Sequence, residues 1–277
     1  MALDQFDEED EGKEMSFLDH LEELRWHLIR AVISILVFAI AAFLAKDFIW
    51  NEVIFGPIQP DFLTYQVLCD LAVKLEAPAL CFGEIPLNVI NIDITGQFTM
   101  HIKSSLIIGL VLGFPYVFWE IWRFVKPGLR NSEKKASRGI VFTVSLLFML
   151  GVLFGYFIVS PLSINFLSNY TLADVINNEI RITSIVSLVA TLALACGLMF
   201  QLPVASYILA KAGIVGPKTM KTYRRHAIVV ILIVSAIITP PDVISQILIA
   251  LPLMLLYEIS IVVAKRITRR QEREMAA

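Results

Sequence analysis

The most informative shortage in this sequence is charge. Only 17% of the 277 residues are charged, whereas soluble globular domains carry about 25%. Hydrophobic residues make up 57% of the chain, and they are gathered in long runs rather than alternating with polar residues. The composition therefore excludes an ordinary soluble domain and indicates a membrane protein with several spans.

Enzyme motifs are missing as well. The sequence has no glycine-rich phosphate loop, no Gly-x-Ser-x-Gly turn and no His-Glu-x-x-His zinc helix. Its four histidines and three cysteines form no cluster with metal-ligand spacing. We expect no enzymatic activity, no cofactor, no metal and no nucleic-acid partner.

The few cysteines divide between two environments. Cys69 and Cys81 share a predicted outward loop, where an oxidising compartment permits a disulfide. The spacing leaves the bonded and the free state equally open, because it does not show how closely the two Cα atoms approach. Cys196 lies in an apolar run and is interpreted as a small core residue.

Six apolar runs predict an all-α membrane protein with six transmembrane helices, since a span needs about 20 apolar residues. The fifth run would cover about 20 Å of a hydrocarbon core of about 30 Å. The sixth contains Glu258, and its uncharged part is similarly short. We expect this last hairpin either to thin the bilayer locally or to leave a shallow side on the protein. The runs are 27–45, 98–121, 139–160, 183–209, 227–239 and 243–264.

Basic residues set the predicted orientation. Of the 23 lysines and arginines, 18 fall in the N-terminal segment, the second and fourth loops and the C-terminal segment. The positive-inside rule then places both termini in the cytoplasm. The predicted organisation is a disordered acidic tail (1–15), a membrane domain (16–265) and a basic tail (266–277).

The first helix carries two kinds of face. Ser16 to Asp19 predicts a capped helix start, from which an amphipathic stretch leads into the first span. His20, Glu23 and His27 share a face separate from the leucines. From spacing alone, a solvated face beside the lipid headgroups is the favoured interpretation, and a functional site is the alternative.

Glycines and prolines predict how the helices pack. Gly109-x-x-x-Gly113 and Gly151-x-x-x-Gly155 allow helices to approach closely, and packing within this one chain is the favoured interpretation. Proline removes a backbone hydrogen bond and bends a helix. We expect bends that make the bundle concave, at Pro115, Pro203 and Pro252.

Polar residues at membrane depth are costly and therefore informative. Gln201 either caps a backbone carbonyl that Pro203 leaves free or contacts a partner helix, and the sequence leaves both open. Asp242 suits the N-cap of the last helix. Gln246, one turn later, could pair with Asp242 or face the same cavity. A small-molecule transporter with a midplane site at these three residues is the alternative function.

The second loop is the most distinctive polar stretch. Residues 122–135 carry five basic residues and a single carboxylate, Glu133. A loop this short does not fold as a domain, so it acts as a docking surface or as a topology anchor.

Four ordered motifs spread over the chain resemble the TatC family, the polytopic core subunit of the twin-arginine protein translocase. The resemblance implies a receptor in the bacterial cytoplasmic (inner) membrane that binds twin-arginine signal peptides of folded precursors. It also implies single-span TatA/TatB-type partners, contact with anionic lipid and an oligomeric complex. The motifs are His20–Arg25, Phe118–Glu133, Phe200–Val204 and Thr239–Gln246.

The resemblance also assigns roles to residues. Glu23 and Glu133 match acids that contact the arginine pair, which a carboxylate binds through two parallel hydrogen bonds that lysine does not reproduce. The fourth helix and the final hairpin are implied to receive partner helices. Gln201 departs from the glutamate that is common in the family. The other implied residues of the peptide site are Arg25, Arg123, Phe124 and Lys126, and those of the partner contact are Gln201, Asp242 and Gln246.

Overall fold

The chain folds almost entirely into helices, as predicted, in a computed structural model that describes residues 17–76, 81, 88–126, 139–173, 178–211, 213, 215–239 and 243–276. The helices are α1 (Phe17–Leu44), α2 (Leu63–Lys74), α3 (Gly96–Val125), α4 (Ile140–Phe154), α5 (Ser160–Asn169), α6 (Ile182–Met199), α7 (Leu202–Lys211), α8 (Pro217–Thr222), α9 (Arg224–Ile238) and α10 (Val243–Ala276). A π-helix, Gly155–Val159, joins α4 to α5. Shorter helical turns follow α1, at Lys46–Phe48, Ile49–Ile54 and Gly56–Ile58.

Five helical stretches of the described residues are long and apolar enough to cross a membrane. These stretches correspond to the first four predicted runs and to the sixth. The third stretch comprises α4 and α5 with the π-helix between them, and the fourth comprises α6 and α7. In the most apolar 18-residue segment of each stretch, only 22% to 39% is buried inside the chain. Most of the apolar surface is therefore left for lipid. The stretches are His20–Leu44, Gly96–Val125, Ile140–Asn169, Ile182–Lys211 and Gln246–Arg269.

The last two helices differ in length. Helix α9 has 15 residues and therefore spans about 22 Å, less than the hydrocarbon core. Helix α10 has 34 residues and continues past Ala264 to Ala276. The expectation of an equally short sixth helix is therefore wrong, because the basic stretch that follows the apolar run continues the same helix. The shortness belongs to α9 alone.

Glycines bring the helices into backbone contact. A Cβ atom on Gly109 would lie 2.7 Å from the Ile35 carbonyl oxygen and 2.7 Å from the Ala39 nitrogen, so α1 and α3 cross at this point. A Cβ on Gly151 would lie 2.5 Å from the Cys196 oxygen of α6. Packing within the chain is thus confirmed for both glycine patterns, and buried Cys196 is the core residue that the sequence predicts.

The three prolines act differently. At Pro203 the helix is interrupted, because α6 ends at Met199 and α7 begins at Leu202. Helix α3 runs through Pro115, and helix α10 runs through Pro252. The fourth span is therefore broken next to Pro203, where a bend was predicted, while Pro115 and Pro252 lie inside continuous helices and the bends predicted there stay predictions.

The connection after α1 that contains α2 is hydrogen-bonded to the third span. The Tyr65 hydroxyl lies 2.9 Å from the Pro57 carbonyl oxygen and 2.8 Å from that of Pro161. Burial raises the pKa of Tyr65, so the hydroxyl stays a hydrogen-bond donor. Strands β1 (Asn88–Ile90) and β2 (Glu179–Arg181) pair in parallel and join this connection to the segment before α6. This connection, which we expect to face outward, is therefore ordered in its described residues.

A disulfide also closes part of this connection. The structure joins Cys69 of α2 to Cys81, and their Cα atoms lie 4.2 Å apart. Cys196 is free and buried.

Replacing Gly109 with alanine should destabilise the protein, because the new methyl group meets backbone atoms of α1 that a rotamer change does not move. We expect a loss of about 1–3 kcal/mol, measured as a lower thermal unfolding midpoint in detergent. Gly113→Ala is the matched control on the same helix, since its Cβ would meet Ile35 at 3.5 Å. Equal midpoints for the two variants would contradict this account of the helix crossing.

The disulfide predicts a pattern of thiol labelling. A membrane-impermeant maleimide should label no cysteine of the native protein, because two are bonded and the third is buried. Reduction should expose Cys69 and Cys81, and Cys196 should react only after denaturation. Mass spectrometry reads out each step, and labelling of Cys69 before reduction would show that the bond is absent.

Candidate functional site

The polar face of α1 packs against α3. His20, Glu23 and His27 lie on one side of the helix, and His27 is only 6% exposed. The apolar residues Leu21 and Leu28 are instead 45% and 63% exposed. The solvated-face interpretation is therefore wrong for His27, because in a membrane protein lipid covers the apolar face and the polar face can turn inward.

Phe124 of α3 fills the space between the two histidines. Its ring stacks on His20 with centroids 4.4 Å apart and meets the His27 ring edge-on at 6.1 Å. Phe124 is half-buried. The contacts place this predicted site residue against the same face of α1 that carries Glu23.

Glu120 of α3 holds this junction together. Its side chain is 1% exposed, and its Oε2 atom lies 2.5 Å from His27 Nδ1. The same oxygen lies 3.9 Å from Arg30 Nη1, and the Tyr116 hydroxyl also bonds to this carboxylate. A buried carboxylate is tolerated only when it is paired and hydrogen-bonded, and these three groups from α1 and α3 meet that requirement.

His27 also faces a second carboxylate. Its Nε2 atom lies 3.8 Å from Glu23 Oε1, and the Glu23 side chain is 35% exposed. Glu23, His27 and Glu120 thus form a row that leads from an accessible acid to a buried one. Glu23 remains reachable for a ligand, whereas Glu120 is not.

Sequence reasoning placed His27 on the same face as Glu23 but missed Glu120 as a member of the site. A signal was present for Glu120, because a carboxylate inside the predicted span 98–121 is costly unless it has a partner. The contact between His27 and Glu120 left no signal in the sequence, since the two residues lie 93 positions apart in the chain.

The predicted basic residues of the site lie on the surface. Arg25, Arg123 and Lys126 are exposed. The Arg123 guanidinium lies 5.7 Å from the centroid of the Trp119 ring, a cation–π contact. Glu133, the second predicted acid, lies outside the described residues. The structure thus brings Glu23 and Phe124 to one junction, and it shows the three basic residues as exposed without placing Arg25 or Lys126 against that junction.

Gln201 ties two spans together. Its amide nitrogen donates to the Val144 carbonyl oxygen of α4 at 3.2 Å. The explanation that it caps a carbonyl freed by Pro203 is therefore wrong, because the acceptor belongs to another helix. Its Oε1 atom is buried and has no hydrogen-bond partner among the described residues.

Gln246 makes a similar tie between the last two helices. Its amide donates to the Leu232 carbonyl oxygen of α9 at 3.2 Å. Asp242 lies outside the described residues. Because Gln201 and Gln246 bond to backbone on different helices, the described residues give no support to the common midplane site of the transporter alternative.

The carboxylate within the last span is also paired. Arg224 Nε, at the start of α9, donates to Glu258 Oε1 at 2.5 Å, and Arg224 Nη2 contacts the second oxygen. This two-point contact fixes one end of the short helix to α10.

Comparison with known proteins gives consistent matches over nearly the whole chain. Residues 19–252 match the family model of the Sec-independent protein translocase protein (TatC). A protein of that name from Blattabacterium sp. subsp. Periplaneta americana (strain BPLAN) is 36% identical over 263 residues, which cover 94% of this chain and 99% of the relative. The relative from Aquifex aeolicus (strain VF5) is 33% identical over 93% of this chain and 98% of its own length.

Solved structures agree with these relatives. A crystal structure described as the twin arginine translocase receptor TatC in DDM superposes with a TM-score of 0.69 at 33% identity. The match covers 89% of this chain and 99% of that chain. A second crystal structure of the receptor gives a TM-score of 0.65 at 32% identity.

Replacing Gln201 with glutamate should make stability depend on pH. A carboxylate has no proton to donate to the Val144 carbonyl, whereas a protonated acid does. We expect the variant to unfold at a lower temperature than wild type at about pH 8 and to approach wild type at about pH 5. Gln201→Leu is the control, and its deficit should not change with pH. A constant deficit for both variants would contradict this role of the amide.

Proposed function

The chain belongs to the TatC family of Sec-independent protein translocase proteins, and from this membership we propose that it binds twin-arginine signal peptides where α1 meets the end of α3. One observation carries the proposal. Glu23 offers a carboxylate that is 35% exposed, on the face of α1 against which Phe124 packs. An accessible acid beside an aromatic ring suits a guanidinium group.

The chemistry favours arginine over lysine. A guanidinium is planar and donates two parallel hydrogen bonds to one carboxylate, while its flat face stacks on an aromatic ring. An ammonium group is a compact point charge that makes neither arrangement. We propose Glu23 as one acid of the site, Glu133 as the second, and Phe124 as the aromatic surface.

Basic residues complete the proposed site. Arg25, Arg123 and Lys126 are exposed, and we propose that they belong to the site and contact anionic lipid headgroups. The Trp119 contact of Arg123 supports this arrangement, because it holds the guanidinium near α3 rather than on Glu23.

The protein crosses the membrane several times, and we propose that both termini lie in the cytoplasm of a bacterium whose inner membrane it occupies. The contact between His20 and Phe124 supports this orientation, since it places the start of α1 beside the end of α3. The basic second loop follows α3 on that side. We retain residues 1–15 and 266–277 as proposed cytoplasmic tails of the membrane domain.

We further propose that single-span partner subunits bind along the fourth span and the last hairpin, within an oligomeric complex. The Gln201 Oε1 atom supports this site, because it is an acceptor without a partner in the described part of the chain. A polar group from a partner helix would satisfy it. Asp242 and Gln246 remain the proposed neighbours of this contact.

A binding measurement tests the receptor proposal. Purified protein is titrated with a twin-arginine signal peptide and with its twin-lysine version. We expect wild type to prefer arginine, and Glu23→Ala and Glu133→Ala each to weaken twin-arginine binding about tenfold or more, as for lost charged hydrogen bonds. Glu22→Ala is the matched control, because Glu22 is an exposed acid on a different face of α1.

Two results would contradict the proposal. Equal binding of the two peptides to wild type would remove the argument for a guanidinium site. An equal loss with Glu22→Ala would show that general negative charge, rather than the Glu23 position, attracts the peptide.

A further inference from the structure

His27 lies between two carboxylates at unequal distances. Its Nδ1 atom is 2.5 Å from the buried Glu120, and its Nε2 atom is 3.8 Å from the accessible Glu23. Each ring nitrogen thus faces a carboxylate oxygen. The junction therefore places an imidazole, which is a cation when protonated, beside the acid that is proposed to receive arginine.

The short contact with Glu120 decides where that cation sits. A hydrogen bond of 2.5 Å holds the imidazole on α3, whereas 3.8 Å exceeds hydrogen-bond range. The Glu23 carboxylate consequently remains accessible and able to accept hydrogen bonds from a ligand. Without the Glu120 charge, the nearest carboxylate left for His27 would be Glu23.

We propose that His27, when protonated, competes with the signal peptide for Glu23, and that Glu120 is a positioning residue that holds His27 back. The inference rests on the proposed peptide site at Glu23. A ligand must then bind Glu23 despite a nearby positive charge. A guanidinium achieves this through two hydrogen bonds at once, whereas an ammonium group does not. The pair thereby increases the preference for arginine over lysine.

Several charged or titratable groups surround His27. Glu23, Arg30 and the more distant His20 come from α1 itself. Glu120 and Tyr116 come from α3, which packs against this face. Of these, the histidines are the side chains whose ordinary titration falls between about pH 6 and pH 8. A pH effect in this range that disappears with His27 can therefore be assigned to that residue.

Glu120→Gln tests the proposal, because it keeps the side-chain shape and removes the charge. At about pH 6.5 the protonated His27 should pair with Glu23 and weaken twin-arginine binding about tenfold relative to wild type. At about pH 8.5 the neutral imidazole should release Glu23, so that binding returns toward wild type. The double variant Glu120→Gln with His27→Gln should not show this pH-dependent deficit, because no imidazole is left to pair with Glu23.

The controls separate this effect from damage to the fold. Glu258→Gln also breaks an ion pair within a span, and His226→Gln changes an exposed histidine, and neither should alter peptide binding. Unfolding midpoints in detergent verify that each variant is folded. If Glu120→Gln does not fold, His27→Gln alone decides the question. It should reduce the arginine-over-lysine preference about threefold or more and flatten the pH dependence.

Particular outcomes would overturn the inference. A folded Glu120→Gln protein that binds as wild type does, or whose deficit is the same at both pH values, excludes competition by His27. An unchanged peptide preference in His27→Gln excludes it as well. The failure of the receptor proposal is distinguishable, because wild type itself would then show no preference for arginine.

Discussion

The junction of α1 and α3 depends on the burial of one carboxylate. Glu120 is 1% exposed, and an unpaired charge at such a position would cost several kcal/mol. His27 and Arg30 from α1, with Tyr116 from α3 itself, supply the compensation. Helix α1 must therefore keep one rotation about its own axis, and one position along that axis, relative to α3. The alignment of Glu23 with Phe124 follows from that single constraint.

The membrane as a solvent explains why polar side chains make so many of the contacts between spans. Lipid satisfies the apolar faces, so hydrophobic burial does little to select one packing of the helices over another. Close contact at Gly109 and Gly151, and amide donation from Gln201 and Gln246 to backbone carbonyls, supply that selection instead. The same reasoning applies to Arg224 and Glu258, which fix the short helix α9 to α10.

The two proposed sites differ in how completely the chain satisfies its own polar groups. At the α1–α3 junction the buried acid is fully paired, and only Glu23 remains open to a ligand. Near Gln201 the chain leaves a buried acceptor without a partner in the described residues. The first arrangement suits a rigid receptor surface for a cation. The arrangement near Gln201 suits a contact in which a partner helix donates the missing hydrogen bond.

The sequence alone determined the helical class, the number of apolar runs and the shortness of α9, because each leaves a local pattern of hydropathy. It also led, through a recognisable motif, to the proposal of Glu23 and Phe124 as site residues. Only the tertiary structure decided that His27 meets Glu120 and that Gln201 meets Val144. These partners lie 93 and 57 residues apart in the chain, and no periodicity within one segment specifies its register against another. The length of α10 was also beyond sequence reasoning, since hydropathy reports where a helix leaves the membrane and not where it ends. The physical reason is the same in each case: local patterns specify helices, whereas the pairing of buried polar groups depends on how those helices pack.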